Sequence, residues 1–287
     1  MTYKLAYLSS EKIHQFIAQS LQEDVGDGDH SSLAAVPAEA ENRAKLIIKD
    51  QGILAGIELA TLIFAQVDSS LMVDILLQDS SPVKFGDIGL TVSGKARSIL
   101  QAERLVLNCM QRMSGIATYT HQLTEAIKGT KARLLDTRKT TPLFRMLEKW
   151  AVVIGGGLNH RFGLFDMIIL KDNHVDYAGG IRQAIESTNA YLSQHNKDLK
   201  IVIETRNLAE VEQVLETGNV FRIMLDNMSP ALMKEAIQLI NGRYPTEASG
   251  GITLETIKAV AESGVDFISV GALTHSIRSL DISLKAY

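Results

Sequence analysis

Apolar positions along this chain fall into two textures, and the change comes near Gly129. Before it, Ile13, Phe16, Ile17 and Leu21 recur at helical spacing behind Ser9 and Ser10, either of which offers a capping hydroxyl. Glu23 to His30 is dense in turn residues, so the first helix is expected to give way to a loop there. Arg43 to Lys49 reads as a strand, Gly56 to Val67 as a buried helix, and Pro82 to Asp87 as a turn between strands. From Ser98 to about Ile127 a long helical pattern carries Leu100, Leu105, Val106, Cys109 and Met113. Together these elements predict an α+β domain.

Beyond Gly129, short apolar runs alternate with helical segments. The runs are residues 133–135, 167–170, 201–203, 223–225, a weaker 244–248, and 267–270. Just past them stand Asp136, Lys171, Glu204, Asp226, Ser249 and Gly271, at spacings of 35, 33, 22, 23 and 22 residues. Strand–helix units in series require a parallel sheet, and six of them predict a TIM-like α/β barrel or partial barrel. Leu280 to Lys285 alternates like a strand and is expected to return to the first domain. The expected division is therefore 1–115 with 275–287 as an α/β domain, and 116–274 as the barrel.

Composition narrows the function classes. With 287 residues, 46% apolar and 22% charged, the chain has the makings of a real core, which excludes collagen-like and disordered classes. No apolar run approaches the roughly 18 residues needed to span a bilayer. Met1-Thr2-Tyr3-Lys4 leads into the polar Ser9-Ser10-Glu11-Lys12, so a cytoplasmic location without a membrane partner is expected. The single cysteine, Cys109, excludes an internal disulfide and a multi-cysteine zinc site, and its place on an apolar helical stripe assigns it to the core. A net charge of −4 argues against a nucleic-acid partner. That average conceals residues 131–171, where eight Lys/Arg stand against three Asp/Glu. A basic segment in an acidic protein points to a local anion site.

Chemistry concentrates just where an α/β barrel places its active site, at the carboxyl ends of the strands. Arg138, Lys139, Arg161 and Lys171, with His160, suit carboxylates or phosphates. Glu204 and Asp226 suit ribose hydroxyls or a magnesium ion held through substrate phosphates. Ser249-Gly250-Gly251 and Val270-Gly271-Ala272 let backbone N–H groups reach a phosphate. The implied ligand is an anionic, phosphorylated sugar. Plainer readings stand beside this one: Glu204 and Asp226 as caps of the following helices, and the glycines as tight turns. Gly155-Gly156-Gly157 lacks the spacing of a dinucleotide fingerprint, and His160 and His174 lack the spacing of a zinc helix. No nucleophile elbow or Walker loop occurs.

Several motifs together resemble quinolinate phosphoribosyltransferase. They are Glu103-Arg104, Ser114-Gly115-Ile116-Ala117-Thr118, Asp136-Thr137-Arg138-Lys139-Thr140-Thr141-Pro142 and Gly157-Leu158-Asn159-His160-Arg161. Leu170-Lys171-Asp172-Asn173-His174, Glu247-Ala248-Ser249-Gly250-Gly251 and Ser269-Val270-Gly271-Ala272 continue the likeness. The resemblance implies an α/β sandwich domain with an incomplete barrel, and an obligate homodimer in which Arg104 completes the partner's site. It implies that Arg138, Lys139, His160, Arg161 and Lys171, with Thr137 beside them, cradle quinolinate. Glu204 and Asp226 would lie at the ribose, and Ser249, Gly250, Gly251, Val270, Gly271 and Ala272 at the phosphate. Lys139, Lys171, Glu204 and Asp226 are the expected catalytic groups, and magnesium would arrive bound to phosphoribosyl pyrophosphate. Leu143 stands where that family usually has glycine, and Trp150 where it often has tyrosine. The same residues also admit a molybdenum-transport-associated paralogue with another substrate, or a non-catalytic sensor of a phosphorylated metabolite.

Overall fold

The computed structural model describes residues 5–287; Met1–Lys4, weighed above as a leader, lie outside the described residues. The chain divides into two compact units. One comprises Met1–His121, Thr140–Gly156 and Thr274–Tyr287 as far as described, the other Gln122–Lys139 and Gly157–Leu273.

In chain order the first unit begins with α1 (Ser10–Val25) and α2 (His30–Ala35). Ser9 caps α1 by accepting the Lys12 N–H at 3.3 Å, and Ile13 and Ile17 are its buried stripe. Glu23 and Asp24, expected in a loop, form the last turn of α1, which ends only at Gly26 with φ 57°. Asp29 then caps α2. The turn residues do mark a break, and they are spent on two closely spaced helix ends. β1 (Glu41–Ile48), β2 (Gly52–Ile53), α3 (Ile57–Val67), β3 (Met72–Ile75), β4 (Pro82–Val83), β5 (Ile88–Lys95) and α4 (Ala96–Ala126) follow. Asp79 lies far from α3 in sequence, yet it accepts the Ile57 N–H at 2.9 Å and so closes that helix's amino end. Burial pushes its carboxyl pKa up, against the pull of the backbone donors.

The unit's main sheet has the antiparallel order β12-β1-β5-β3, with β12 (Ile282–Ala286) supplied by the tail. Period-two alternation puts Ala44, Leu46 and Ile48 of β1 on the buried face. They sit in register with Leu284 and Ile282 on one side and Leu90 and Val92 on the other. The returning strand is legible from that alternation. β2 and β4 form a separate two-residue ladder. Cys109 is buried in α4, and burial pushes its thiol up to about 12.

The second unit starts with β6 (Arg133–Leu135). After it the chain contributes α5 (Arg145–Ile154) to the first unit, a helix with Trp150 fully buried. The loop before α5 carries Leu143, 95% exposed and at φ 63°. That left-handed backbone explains why glycine suits the position. Leu143→Gly sacrifices no packing, so it is expected to stabilise the protein by about 1 kcal/mol, a rise of a few degrees in Tm. A fall in Tm in a thermal melt would show that the turn gains from leucine.

The barrel continues through β7 (Ile168–Leu170), α6 (Asp172–Ala178), α7 (Ile181–Gln194), β8 (Ile201–Thr205) and α8 (Leu208–Thr217). It then adds β9 (Arg222–Asp226), α9 (Pro230–Ile240), β10 (Thr246–Ser249), α10 (Ile257–Glu262), β11 (Phe267–Ser269) and the short α11 (Ala272–His275). All six expected runs are strands, in one parallel sheet of order β6-β11-β10-β9-β8-β7. Strands covered on both faces carry near-continuous apolar runs, as Ile201-Val202-Ile203 does. β6 and β7 are the ends of that sheet, so the barrel is open between them. Leu158 bridges Leu135 in parallel, which lays residues 157–160 along the outer side of β6. No helix among the described residues is long and apolar enough to cross a membrane.

Candidate active site

Because the barrel strands are parallel and in register, their carboxyl ends share one rim. Asp136, Lys171, Glu204, Asp226 and Ser249, together with Val270-Gly271-Ala272, stand at that rim. Lys171 follows β7 and faces Glu204 of β8, with Nζ 2.7 Å from Oε1. The other Glu204 oxygen accepts the Asp172 N–H at 3.3 Å. Asp226 ends β9 opposite Ser249 of β10, whose hydroxyl donates to Oδ1 at 2.7 Å. Asn227 donates to its own neighbour's Oδ2 at 2.7 Å.

Glu204 and Asp226 do not cap the helices that follow their strands. The helices after β8 and β9 are capped by Asn207 and Ser229, which accept the N–H groups of Glu210 and Leu232. Glu204 and Asp226 are left pointing at the rim rather than into the helices that follow them. Glu204 does serve the start of α6, through Asp172.

The cations are organised by Asp136. It is fully buried at the end of β6 and accepts the His160 N–H at 2.8 Å and the Asn159 side-chain amide at 2.6 Å. This ties residues 159–160 to the strand that delivers Thr137, Arg138 and Lys139. Thr137 accepts the Lys139 N–H at 3.0 Å, bending that loop back on itself. Arg161 is buried, and Nη1 donates to the Met167 carbonyl at 2.9 Å. Its Nε finds no partner among the described residues. Burial and then the charge of Arg138 depress its proton affinity. A buried guanidinium with an unmatched donor has the chemistry to receive a carboxylate. His160 is also buried, with its ring turned toward Glu247.

Gly250 has φ 94°, and a Cβ there would collide with the side chain and backbone nitrogen of Asn227. Gly251, at φ 59°, faces open space. The first glycine is a packing requirement; the second leaves room for a ligand to approach the backbone. Arg104 lies on α4 of the first unit and is exposed. The Gly155–Gly157 run ends α5, where a Cβ on Gly155 would meet the Ala117 carbonyl, so its role is close packing. A cleft of about 730 Å³ lined by Phe16, Leu105, Pro142, Phe144 and Met146 belongs to the first unit and includes none of the rim cations. Of the charged pair buried under the rim, the sequence reading names Glu247 only as part of a motif, with no role, and misses Arg222. The available signal was a charged residue in each of two adjacent, fully covered strands.

Among the described residues no three His, Cys, Asp or Glu converge as a metal cage. Glu204 and Asp226 are carboxylates of the kind that hold magnesium through water and substrate oxygens, so the rim fits an ion carried in on a phosphate.

Comparison with known proteins agrees with this geometry. The model of the quinolinate phosphoribosyl transferase N-terminal domain matches residues 29–114, and that of its C-terminal domain residues 116–285. A quinolinate phosphoribosyltransferase [decarboxylating] 1b of Nicotiana tabacum is 48% identical over 284 residues, covering 94% of this chain and 81% of its own. A probable nicotinate-nucleotide pyrophosphorylase [carboxylating] of Synechocystis is 39% identical, covering 95% of this chain and 92% of its own. The crystal structure of NadC from Streptococcus pyogenes superposes with a TM-score of 0.91 at 38% identity, over 97% of both chains. Matched in both domains and along most of the length of such relatives, the chain belongs to the quinolinate phosphoribosyltransferase family.

Proposed function

We propose that this chain works as a cytoplasmic homodimer, converting quinolinate and phosphoribosyl pyrophosphate to nicotinate mononucleotide, pyrophosphate and carbon dioxide. The observation that supports the site assignment is the buried Arg161, its Nε without a partner among the described residues, at one rim with the Lys171–Glu204 pair. Both substrates are polyanions, and a neutral site would leave them to repel each other. Arg138, Arg161, Lys139 and Lys171 supply the opposite charge, His160 lines the same cradle, and Thr137 shapes its loop.

In the first step the pyridine nitrogen attacks the anomeric carbon while the carbon–oxygen bond to pyrophosphate breaks and the leaving group takes the electron pair. The nitrogen is unprotonated near neutral pH, so no general base is needed. Holding the two atoms in line removes up to about 7–11 kcal/mol of barrier. Glu204 and Asp226 fix the ribose hydroxyls and favour the positive charge that develops on the sugar. Backbone N–H groups of Ser249-Gly250-Gly251 and Val270-Gly271-Ala272 receive the phosphate of the sugar. Magnesium carried in on the pyrophosphate would neutralise the leaving group's charge, with Glu204 and Asp226 the carboxylates that would hold it through water. In the second step the bond from the ring to the adjacent carboxylate breaks, carbon dioxide leaves, and its electron pair passes to the pyridinium ring before a proton from solvent replaces it. Lys139 and Lys171 hold the dianion through both steps.

The experiment is an assay of purified protein with magnesium and both substrates, following nicotinate mononucleotide and carbon dioxide together. Equal formation of the two is expected. Binding of phosphoribosyl pyrophosphate without turnover would instead select the sensor reading. Arg104 is assigned to the partner's site. Mixing inactive Arg104→Ala with inactive Lys171→Ala protein is therefore expected to restore part of the activity in hybrid dimers, and persistently dead hybrids would remove Arg104 from that role.

A further inference from the structure

Beneath the rim the barrel holds a second charged group that the reaction above does not use. Glu247, in β10, is fully buried between β9 and β11. Arg222, from the amino end of β9, donates through Nη1 to Glu247 Oε2 at 2.6 Å. Its guanidinium lies 4.0 Å from the ring centre of Phe267. His160 Nε2 also comes to 3.3 Å from the same carboxylate oxygen, a charge contact short of hydrogen-bond geometry.

The histidine's tautomer follows from its opposite nitrogen. His160 Nδ1 accepts the backbone N–H of Arg161 at 2.7 Å. A ring nitrogen that accepts an N–H carries no proton, so the ring proton is on Nε2 and faces Glu247. The backbone N–H of His160 is held in turn by Asp136. Arg161 is thus anchored at its amide by a ring whose Nδ1 accepts it, whose backbone N–H is held by Asp136, and whose Nε2 faces Glu247 at 3.3 Å. Arg222 and His160 both address Oε2, while Oε1 has no hydrogen-bond partner among the described residues; the approach of His160 links the barrel interior to the rim. Burial raises the Glu247 pKa, but the donors His160 and Arg222 outweigh it and keep the group below its ordinary range, hence ionised.

We propose that Glu247 is a positioning residue for the transferase reaction: it fixes His160 in the Nε2–H form and, through Nδ1, sets where Arg161 presents its guanidinium to the substrate carboxylate. The inference rests on the reading of Arg161 as a cradle cation. Carboxylate–imidazole pairs orient metal-bound histidines by the same chemistry, with an arginine amide here in place of the metal.

The test compares Glu247→Gln with the double variant Arg222→Met, Glu247→Gln. In the double variant the buried charge is removed on both sides, and methionine packs against Phe267. Glu247→Gln is expected to lose stability and to lower kcat/KM for quinolinate by about 10- to 100-fold, chiefly through KM for quinolinate. The double variant is expected to recover stability and keep that kinetic defect. Recovery of both would overturn the proposal and leave Glu247 as the partner of Arg222 only. If Glu247→Gln does not fold, the kinetics of the double variant alone decide between the two. Two-bond proton–nitrogen spectra of the unsubstituted enzyme are expected to show His160 protonated at Nε2 only; a proton on Nδ1 would equally overturn it. Arg138→Ala serves as control. Full activity there would sink the cradle reading itself, whereas a defect there with a fully active double variant sinks only the role of Glu247.

Discussion

Glu148→Ala is expected to lower the unfolding free energy by about 3 kcal/mol or more, the cost of stripping one partner from a buried ion pair. Glu148 sits in α5 with no exposed surface. One of its oxygens receives Arg112 Nη2 at 2.9 Å and Nε at 3.1 Å, and the Thr141 hydroxyl at 2.9 Å; the other receives the Thr141 N–H at 3.0 Å. Arg112 extends the same network to the carbonyls of Thr274 and Ile277. One carboxylate therefore joins α4, the loop before α5 and the segment leading to β12. Alanine would leave the guanidinium without its anion and the two Thr141 donors without the acceptor they now use. Glu148→Gln keeps an oxygen for part of that set and should cost about half as much. Urea titration with an unchanged m-value reads the difference directly. A loss below about 1 kcal/mol for the alanine variant would mean that water replaces the carboxylate, and that the network is not a stabilising hub.

Arg138→Ala is expected to act on the other side of the balance, on catalysis and hardly on stability. Removing a preorganised charged donor costs about 2–4 kcal/mol in the transition state, so kcat/KM for quinolinate should fall by about 30- to 1,000-fold. Its side chain is only half-buried, and its charge opposes that of Arg161. Deleting it relieves that repulsion, so the change in unfolding free energy should stay within about 1 kcal/mol. Steady-state kinetics beside a denaturant curve separates the two effects. An unchanged specificity constant would remove Arg138 from the cradle, and a parallel loss of stability would make it a structural residue.

The barrel is readable because parallel strands covered on both faces must be apolar throughout, and their polar ends then stand out, as in Ile201-Val202-Ile203 followed by Glu204. The returning strand is readable for the opposite reason, the strict alternation of Leu280 to Lys285. What escapes depends on contacts far apart in sequence. Asp79 closing α3 leaves no local capping signal, and Glu148 in α5 looks like an ordinary surface glutamate until Arg112 and Thr141 surround it. Local spacing also misleads for Glu23 and Asp24, because glycines at 26 and 28 mark where a helix stops more than where it weakens. For Glu204 and Asp226 the sequence holds both readings, and Asn207 and Ser229 a few residues on are the discriminating clue, since either caps a helix better than a carboxylate inside a strand. His160 shows the limit most clearly. As a residue type it reads as a cation among cations, and only the hydrogen bond that Nδ1 accepts places its ring proton on Nε2, toward Glu247.

The edge strand that closes the first unit's sheet has a consequence for biosynthesis. β1 pairs with β12 along five residues, from Ala44 with Ala286 to Ile48 with Ile282. Chain emerging from the ribosome carries β1, β3 and β5 early, yet Leu46 and Ile48 have only one of their two neighbours until residues 282–286 have been made. The barrel unit, by contrast, is complete by Leu273. The amino-terminal unit is thus the last to be finished, reversing the usual order of vectorial folding, and during elongation it presents an apolar, unpaired strand edge. Nascent chains of this protein should accordingly depend on holdase chaperones for as long as translation lasts, and a stalled ribosome should expose that edge for the whole of the pause.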